Sequence, residues 1–245
     1  MLGTIKPEEV RQAARFLGLD KKGSTRNRQV IVPACAVINH AAEAGWWPKI
    51  CVSRFPVEKP KRVAVDRSWI DAFLAQADRD RLPHLAAAIL FMWQTGTRVS
   101  EAARIIPANV NLQERVILLE RTKTSQWEPR HISQELMIRI ANLSMREGMP
   151  IFGYASRFGM RDRMKAVCRR ASIPFVPPHQ GGRHSFASNA LAMGATAKEV
   201  MEAGGWKTAR MVLETYAHAN RAGRSIADRF DAEVAHSKAV AGQPI

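Results

Sequence analysis

Apolar residues recur at helical spacing along most of the chain, and prolines, glycines and small polar residues mark where each run starts and stops. Residues 7–17 (PEEVRQAARFL) begin with proline and two acids, which suits a helix N-terminus. A second helical stretch runs from Ser24-Thr25 to about Ala44, and Pro33 is expected to kink or interrupt it. Trp46-Trp47-Pro48 ends that unit. Residues 53–66 then carry two prolines and four basic residues, an extended and basic segment at which a domain boundary is expected.

Beyond Asp66 the pattern predicts helices over 67–78, 83–94, from Val99, and at about 133–145, 157–171, 180–193, 196–203 and 208–217. Residues 83–94 are apolar on nearly every face, which marks a buried helix. A final amphipathic stretch spans 222–238. One strand pair interrupts the series: 115–123, a polar turn at Thr124–Trp127, and 128–132, with Pro129 suited to an edge strand. The fold class is therefore mainly α with a small antiparallel β hairpin or sheet.

Composition narrows the possible partners. The 245 residues hold 37 Lys and Arg against 22 Asp and Glu, a net charge of +15, which favours a polyanion such as nucleic acid. No apolar run approaches a membrane span, and the N-terminus lacks the apolar stretch of a signal peptide. Cys35, Cys51 and Cys168 are widely spaced and form no CxxC pair, as expected of reduced thiols in a cytoplasmic protein without a zinc site.

Three segments concentrate chemistry: TGTRVSE (95–101), HQGGRH (179–184) and GGWKTARMVLETYAH (204–218). Arg98 and Arg183 offer planar guanidinium forks that match phosphate oxygens and stay charged at any working pH. Two such forks can stabilise a pentacoordinate phosphorus without a metal. Tyr216 is one of only two tyrosines, the other being Tyr154. A free phenol titrates near ~10, so a nucleophilic Tyr216 needs nearby positive charge and a proton acceptor. His179 precedes Arg183 by four residues, on one helical face, and His184 is expected to point elsewhere. Lys123 falls at the predicted hairpin tip, where it is either solvated or a general acid. Each residue taken singly also has a bland reading: turn arginine, surface helix arginine, helix-capping histidine, packed tyrosine.

Taken together, the segments resemble the tyrosine recombinase (phage integrase) family over about residues 67–220. TGTRVSE looks like its first arginine box, HQGGRHSFA its second, and GGWK…ETYAH its terminal box with the nucleophile. The resemblance implies that Arg98 and Arg183 clamp the scissile phosphate, with Glu101 buttressing the site. It makes Lys123 the acid toward the leaving 5′-hydroxyl and His179 the acceptor of the phenol proton. Trp206 stands where histidine is more common, its indole N–H directed at the phosphate, and Tyr216 attacks to form a 3′-phosphotyrosyl link. Two departures stand out. His179 and Arg183 are one residue further apart than the family pattern, with Gly181-Gly182 between them and a loosened helix start expected, and Trp206 to Tyr216 is also one residue longer.

The implied organisation is a short helical core-binding-like DNA clamp (1–55), a basic linker (56–66), a catalytic domain (67–220) and a tail (221–245) that docks on a neighbouring subunit. Truncation of the clamp stays an open alternative, and no separate arm-binding domain is expected. The implied partner is double-stranded DNA, bound by a homotetramer on paired sites with or without an accessory DNA-bending protein. No membrane, metal or other cofactor is expected. Three other readings stand beside this one: an inert DNA-binding regulator on the same fold, a type IB topoisomerase-like nicking-closing enzyme, and a metal-dependent nuclease.

Overall fold

Helix α5 (Pro83–Thr95) is buried along nearly its whole length, from Leu85 to Met92, and the larger part of the chain is assembled around it. The computed structural model describes residues 5–18, 20–57, 63–121, 126–154 and 156–216. It divides into two units, Met1–Lys61 and Arg62–Ile245. Among the described residues no helix is long and apolar enough to cross a membrane. The 222–238 stretch and its docking role lie outside the described residues.

In the first unit, α1 (Pro7–Phe16), α2 (Gly23–Arg26) and α3 (Val32–Glu43) pack around Val10, Ala14, Ile31, Ile50, Val52 and Phe55. The expected interruption at Pro33 takes the form of a π-helical turn, Asn27–Ile31, immediately before α3. Proline lacks the N–H that an α-helix would use there, and it suits the first turn of a new helix. The extended segment after α3 is pinned by Asn27, whose buried amide donates to the Phe55 carbonyl (2.9 Å) and accepts from the Phe55 N–H (2.8 Å).

In the second unit, α4 (Arg67–Arg79) is capped by Asp66, whose carboxylate accepts the Trp69 N–H, and it packs on α5 through Ile70, Phe73 and Leu74. A single helical turn, α6 (Val99–Ala102), follows α5. Three antiparallel strands come next: β1 (Val110–Asn111), β2 (Val116–Arg121) and β3 (Gln126–His131), in that spatial order. The two-residue β1 was not expected. β3 starts within the predicted turn, so Trp127 pairs with Glu120 as a strand residue. Pro129 lies on the edge strand opposite Leu118, where its missing N–H leaves no ladder bond unmade. Ile117 and Leu119 are buried while Leu118 is exposed, the alternation of a sheet with one wet face.

Helices α7 (Gln134–Ala141) and α8 (Arg157–Arg170) complete the main core. The remaining helices α9 (Ser185–Ala192), α10 (Ala197–Gly204) and α11 (Ala209–Tyr216) form a smaller cluster of Ala187, Val200, Trp206, Val212 and Tyr216. This second cluster carries Tyr216 toward the end of α5.

Candidate active site

The site forms where the C-termini of α5 and α10 meet the start of α9. Gly96 closes α5 in the left-handed conformation (φ 65°), and Arg98 follows at the N-cap of α6. Glu101 holds that turn: its carboxylate accepts the Arg98 backbone N–H (2.8 Å) and pairs with the Arg98 guanidinium (2.5 Å). Half of the Arg98 side chain stays exposed, so its charge lies on the rim.

Arg183 is the buried counterpart, 3% exposed. Its Nη1 donates to the carbonyls of Gly96 (2.6 Å) and Gly204 (2.8 Å), and Nη2 reaches the Gly205 carbonyl at 3.4 Å. These are end-of-helix carbonyls with no partner inside their own helices, so the guanidinium ties the ends of α5 and α10 together. The guanidinium carbon lies 3.7 Å from the centre of the Trp206 ring. Burial, and then the positive charge of Arg98, lower the Arg183 pKa to about 10, which leaves it charged at neutral pH. Nε makes no hydrogen bond among the described residues, so part of the donor fork remains for an anion.

The extra residue between His179 and Arg183 does not loosen a helix start. It is absorbed in a π-helical turn, Gln180–His184, that runs directly into α9. Inserting one residue into a helix widens the turn at that point, a device frequent at functional sites. Ser185 spans the widened turn, its hydroxyl donating to the Gln180 carbonyl at 2.8 Å. Gly182 allows the turn to press on α5: a Cβ there would stand 2.7 Å from the Met92 Cβ.

That turn brings His184 to the tyrosine. His184 is buried, and its Nδ1 lies 2.8 Å from the Tyr216 hydroxyl. The expectation that His184 points elsewhere is therefore corrected. His179 is exposed, with its ring edge-on to His184 at 4.6 Å between centroids. Trp206 meets Tyr216 edge-on (5.7 Å) and stacks on Phe186 (6.2 Å), which fixes both aromatic planes. The other tyrosine, Tyr154, packs against the main core, and burial raises its pKa. Lys123 lies outside the described residues.

Family membership follows from a separate observation: residues 65–222 match the model of the phage integrase family. The chain belongs to the phage integrase family. The fold agrees with that of solved integrases and recombinases. A Tn1549 transposon integrase in complex with a circular intermediate DNA is 20% identical, with a TM-score of 0.75 over 93% of this chain and 86% of that one. XerH site-specific recombinase bound to a palindromic difH substrate is 14% identical, with a TM-score of 0.71 over 94% and 74%. XerA recombinase is 18% identical, with a TM-score of 0.58 over 92% and 84%. No curated protein matches the chain.

One residue of this integrase-family site was not singled out from the sequence. Arg130, on β3, is buried and pairs with Glu128 (2.9 Å), and its positive charge also lowers the pKa of Arg183. Gly205, in the left-handed conformation (φ 66°), lies against it: a Cβ there would meet the Arg130 Nη2 at 2.3 Å. Glu128 and Arg130 alternate along a strand as any solvated pair would, so the pattern alone carried no sign of burial. A groove of about 650 Å³ opens beside the site, lined by Arg98, Arg104, Lys207, Leu118 and Trp127 among others. Among the described residues no three His, Cys, Asp or Glu side chains are grouped to hold a metal ion.

Proposed function

We propose that this chain is a site-specific DNA recombinase that cuts and rejoins strands through Tyr216. The observation that carries the reading is the convergence of a buried Tyr216 hydroxyl, a buried Arg183 with part of its donor fork unused, and a half-exposed Arg98, in a family member. In cleavage the Tyr216 oxygen forms a bond to phosphorus and the bond to the 5′-oxygen breaks. A 3′-phosphotyrosyl link and a free 5′-hydroxyl result. Rejoining is the reverse attack by a 5′-hydroxyl of the partner strand. The energy of the phosphodiester is kept in the link, so neither ATP nor a metal ion enters the balance.

Arg98 and Arg183 stabilise the charge on the pentacoordinate phosphorus. Glu101 keeps Arg98 oriented, Trp206 directs its indole N–H to a phosphate oxygen, and Lys123 protonates the leaving 5′-oxygen. Residues 1–55 act as a second DNA-binding module, and four subunits assemble on two sites with 221–245 docking between neighbours. The +15 net charge supports the DNA partner.

The test is covalent capture: the protein is incubated with a nicked suicide-substrate library drawn from its source genome and denatured in SDS, and any attached DNA is sequenced. Adducts with the wild type and none with Tyr216→Phe are expected. DNA binding without any adduct would point to an inert regulator instead, and relaxation of plasmids lacking paired sites would point to a nicking-closing enzyme.

A further inference from the structure

We infer that His184 is the proton acceptor for the Tyr216 phenol, an assignment that rests on the recombinase reading above. The contact is direct, with Nδ1 2.8 Å from the hydroxyl. It is also sheltered: His184 is 8% exposed and Tyr216 7%. A proton leaving a buried phenol needs an acceptor already in place, and geometry is the first requirement for a general base.

The backbone explains how this histidine comes into contact. In a π-helical turn the backbone hydrogen bonds run from i to i+5, so the backbones of His179 and His184 are joined across the turn. His184 follows His179 by five, and the two rings meet edge-on at 4.6 Å. The inserted residue thus sets His184 beside His179, while Arg183 turns toward the Gly96 and Gly204 carbonyls. His179 is exposed, its ring edge-on to His184, where it can pass a proton onward.

The balance is as follows. The neutral His184 carries its proton on Nε2 and accepts the hydroxyl hydrogen at Nδ1. As the phenol oxygen bonds to phosphorus, its proton moves to Nδ1, and the departing 5′-oxygen takes a proton from a general acid. On rejoining, the 5′-hydroxyl attacks and gives its proton back to that general acid, the tyrosine oxygen leaves, and the imidazolium returns the proton to it. Beside this pair stand the Arg183 guanidinium and the His179 ring, and the charges of Arg98, Arg130 and Glu101 act in turn on Arg183. The Arg183 guanidinium, whose charge couples to Tyr216, favours the developing phenolate.

The experiment is single-turnover cleavage of a suicide substrate by the wild type, His184→Asn, His179→Asn and Tyr216→Phe across about pH 5–8. Asparagine keeps a hydrogen-bonding atom near the place of Nδ1 but cannot take the proton. His184→Asn should cleave about 100-fold more slowly and lose the acid limb of the pH profile, while His179→Asn keeps that limb. A His184→Asn rate within about threefold of the wild type, or loss of the limb in His179→Asn alone, would overturn the assignment. Histidine ¹⁵N shifts of the wild type test it without a variant: His184 must be protonated at Nε2, and a proton fixed on Nδ1 overturns it. A wild type that forms no adduct would sink the recombinase reading and this assignment with it.

Discussion

The guanidinium carbon of Arg183 lies over the ring of Trp206, 3.7 Å from its centre, and the same ring meets Tyr216 edge-on. One indole therefore sets the position of both the cation and the nucleophile. Trp206→Ala should destabilise the protein by about 3–5 kcal/mol, the usual result of emptying a buried tryptophan site. Trp206→Phe keeps an aromatic ring beside Arg183 but loses the N–H and part of the indole. It should melt between Trp206→Ala and the wild type and cleave about tenfold more slowly, consistent with one lost transition-state hydrogen bond of about 1.4 kcal/mol. Wild-type cleavage by Trp206→Phe would mean that the indole N–H never touches the phosphate.

Gly182 tests the π-helical turn. With Met92 Cβ only 2.7 Å from where an alanine methyl would stand, Gly182→Ala should cost about 1–3 kcal/mol, read from the urea midpoint. Deleting Gly181 restores the shorter spacing and should convert the turn to α-helix. His179 would then rotate relative to Arg183, and activity should be lost even where the fold survives. An active deletion variant would show that the inserted residue has no part in the site.

Gly205 reports on Arg130. Alanine there takes on the strain of a left-handed residue, about 1–2 kcal/mol, and also collides with the Arg130 guanidinium. The Gly205 carbonyl faces Arg183, so the shift reaches the phosphate site. Gly205→Ala should weaken cleavage more than DNA binding, measured as separate rate and affinity. Equal losses in both would argue against this route.

Acid should unfold the protein through identifiable carboxylates. The N-cap hydrogen bonds of Asp66, the Arg170 hydrogen bonds of Asp80 and the N-cap hydrogen bonds of Glu199 each lower the pKa of that group. A depressed folded pKa contributes stability above the unfolded value, here 3.8 for the aspartates and 4.5 for the glutamate, and loses it as pH falls through the folded value. Melting temperature should therefore drop below about pH 4, and more shallowly in Asp80→Asn. Identical acid limbs for the two proteins would remove Asp80 from the explanation.

Much of this was legible in the sequence. The apolar run of α5, the strand pair around a polar turn, and the prolines at the starts of α1 and α5 and on the edge strand are local signals, and the elements follow them. The three motifs also marked the parts that meet. What could not be read was how one inserted residue is accommodated. Gly181-Gly182 is compatible with a frayed helix start or with a widened turn, and only packing against Met92 decides between them. That choice in turn sets how His184 meets Tyr216. Arg130 was hidden for a related reason: a charged residue alternating along a strand reads as solvated until the turn at Gly205 covers it.

The most direct test of the central claim is the mass of the trapped adduct. After SDS denaturation and digestion by nuclease and protease, a nucleotide should be found on the peptide containing Tyr216, joined through a 3′-phosphate. The released strand should carry a free 5′-hydroxyl, and the yield should be unchanged by chelator. A nucleotide on Tyr154 or on a histidine, or cleavage that leaves no adduct and stops with chelator, would contradict the account.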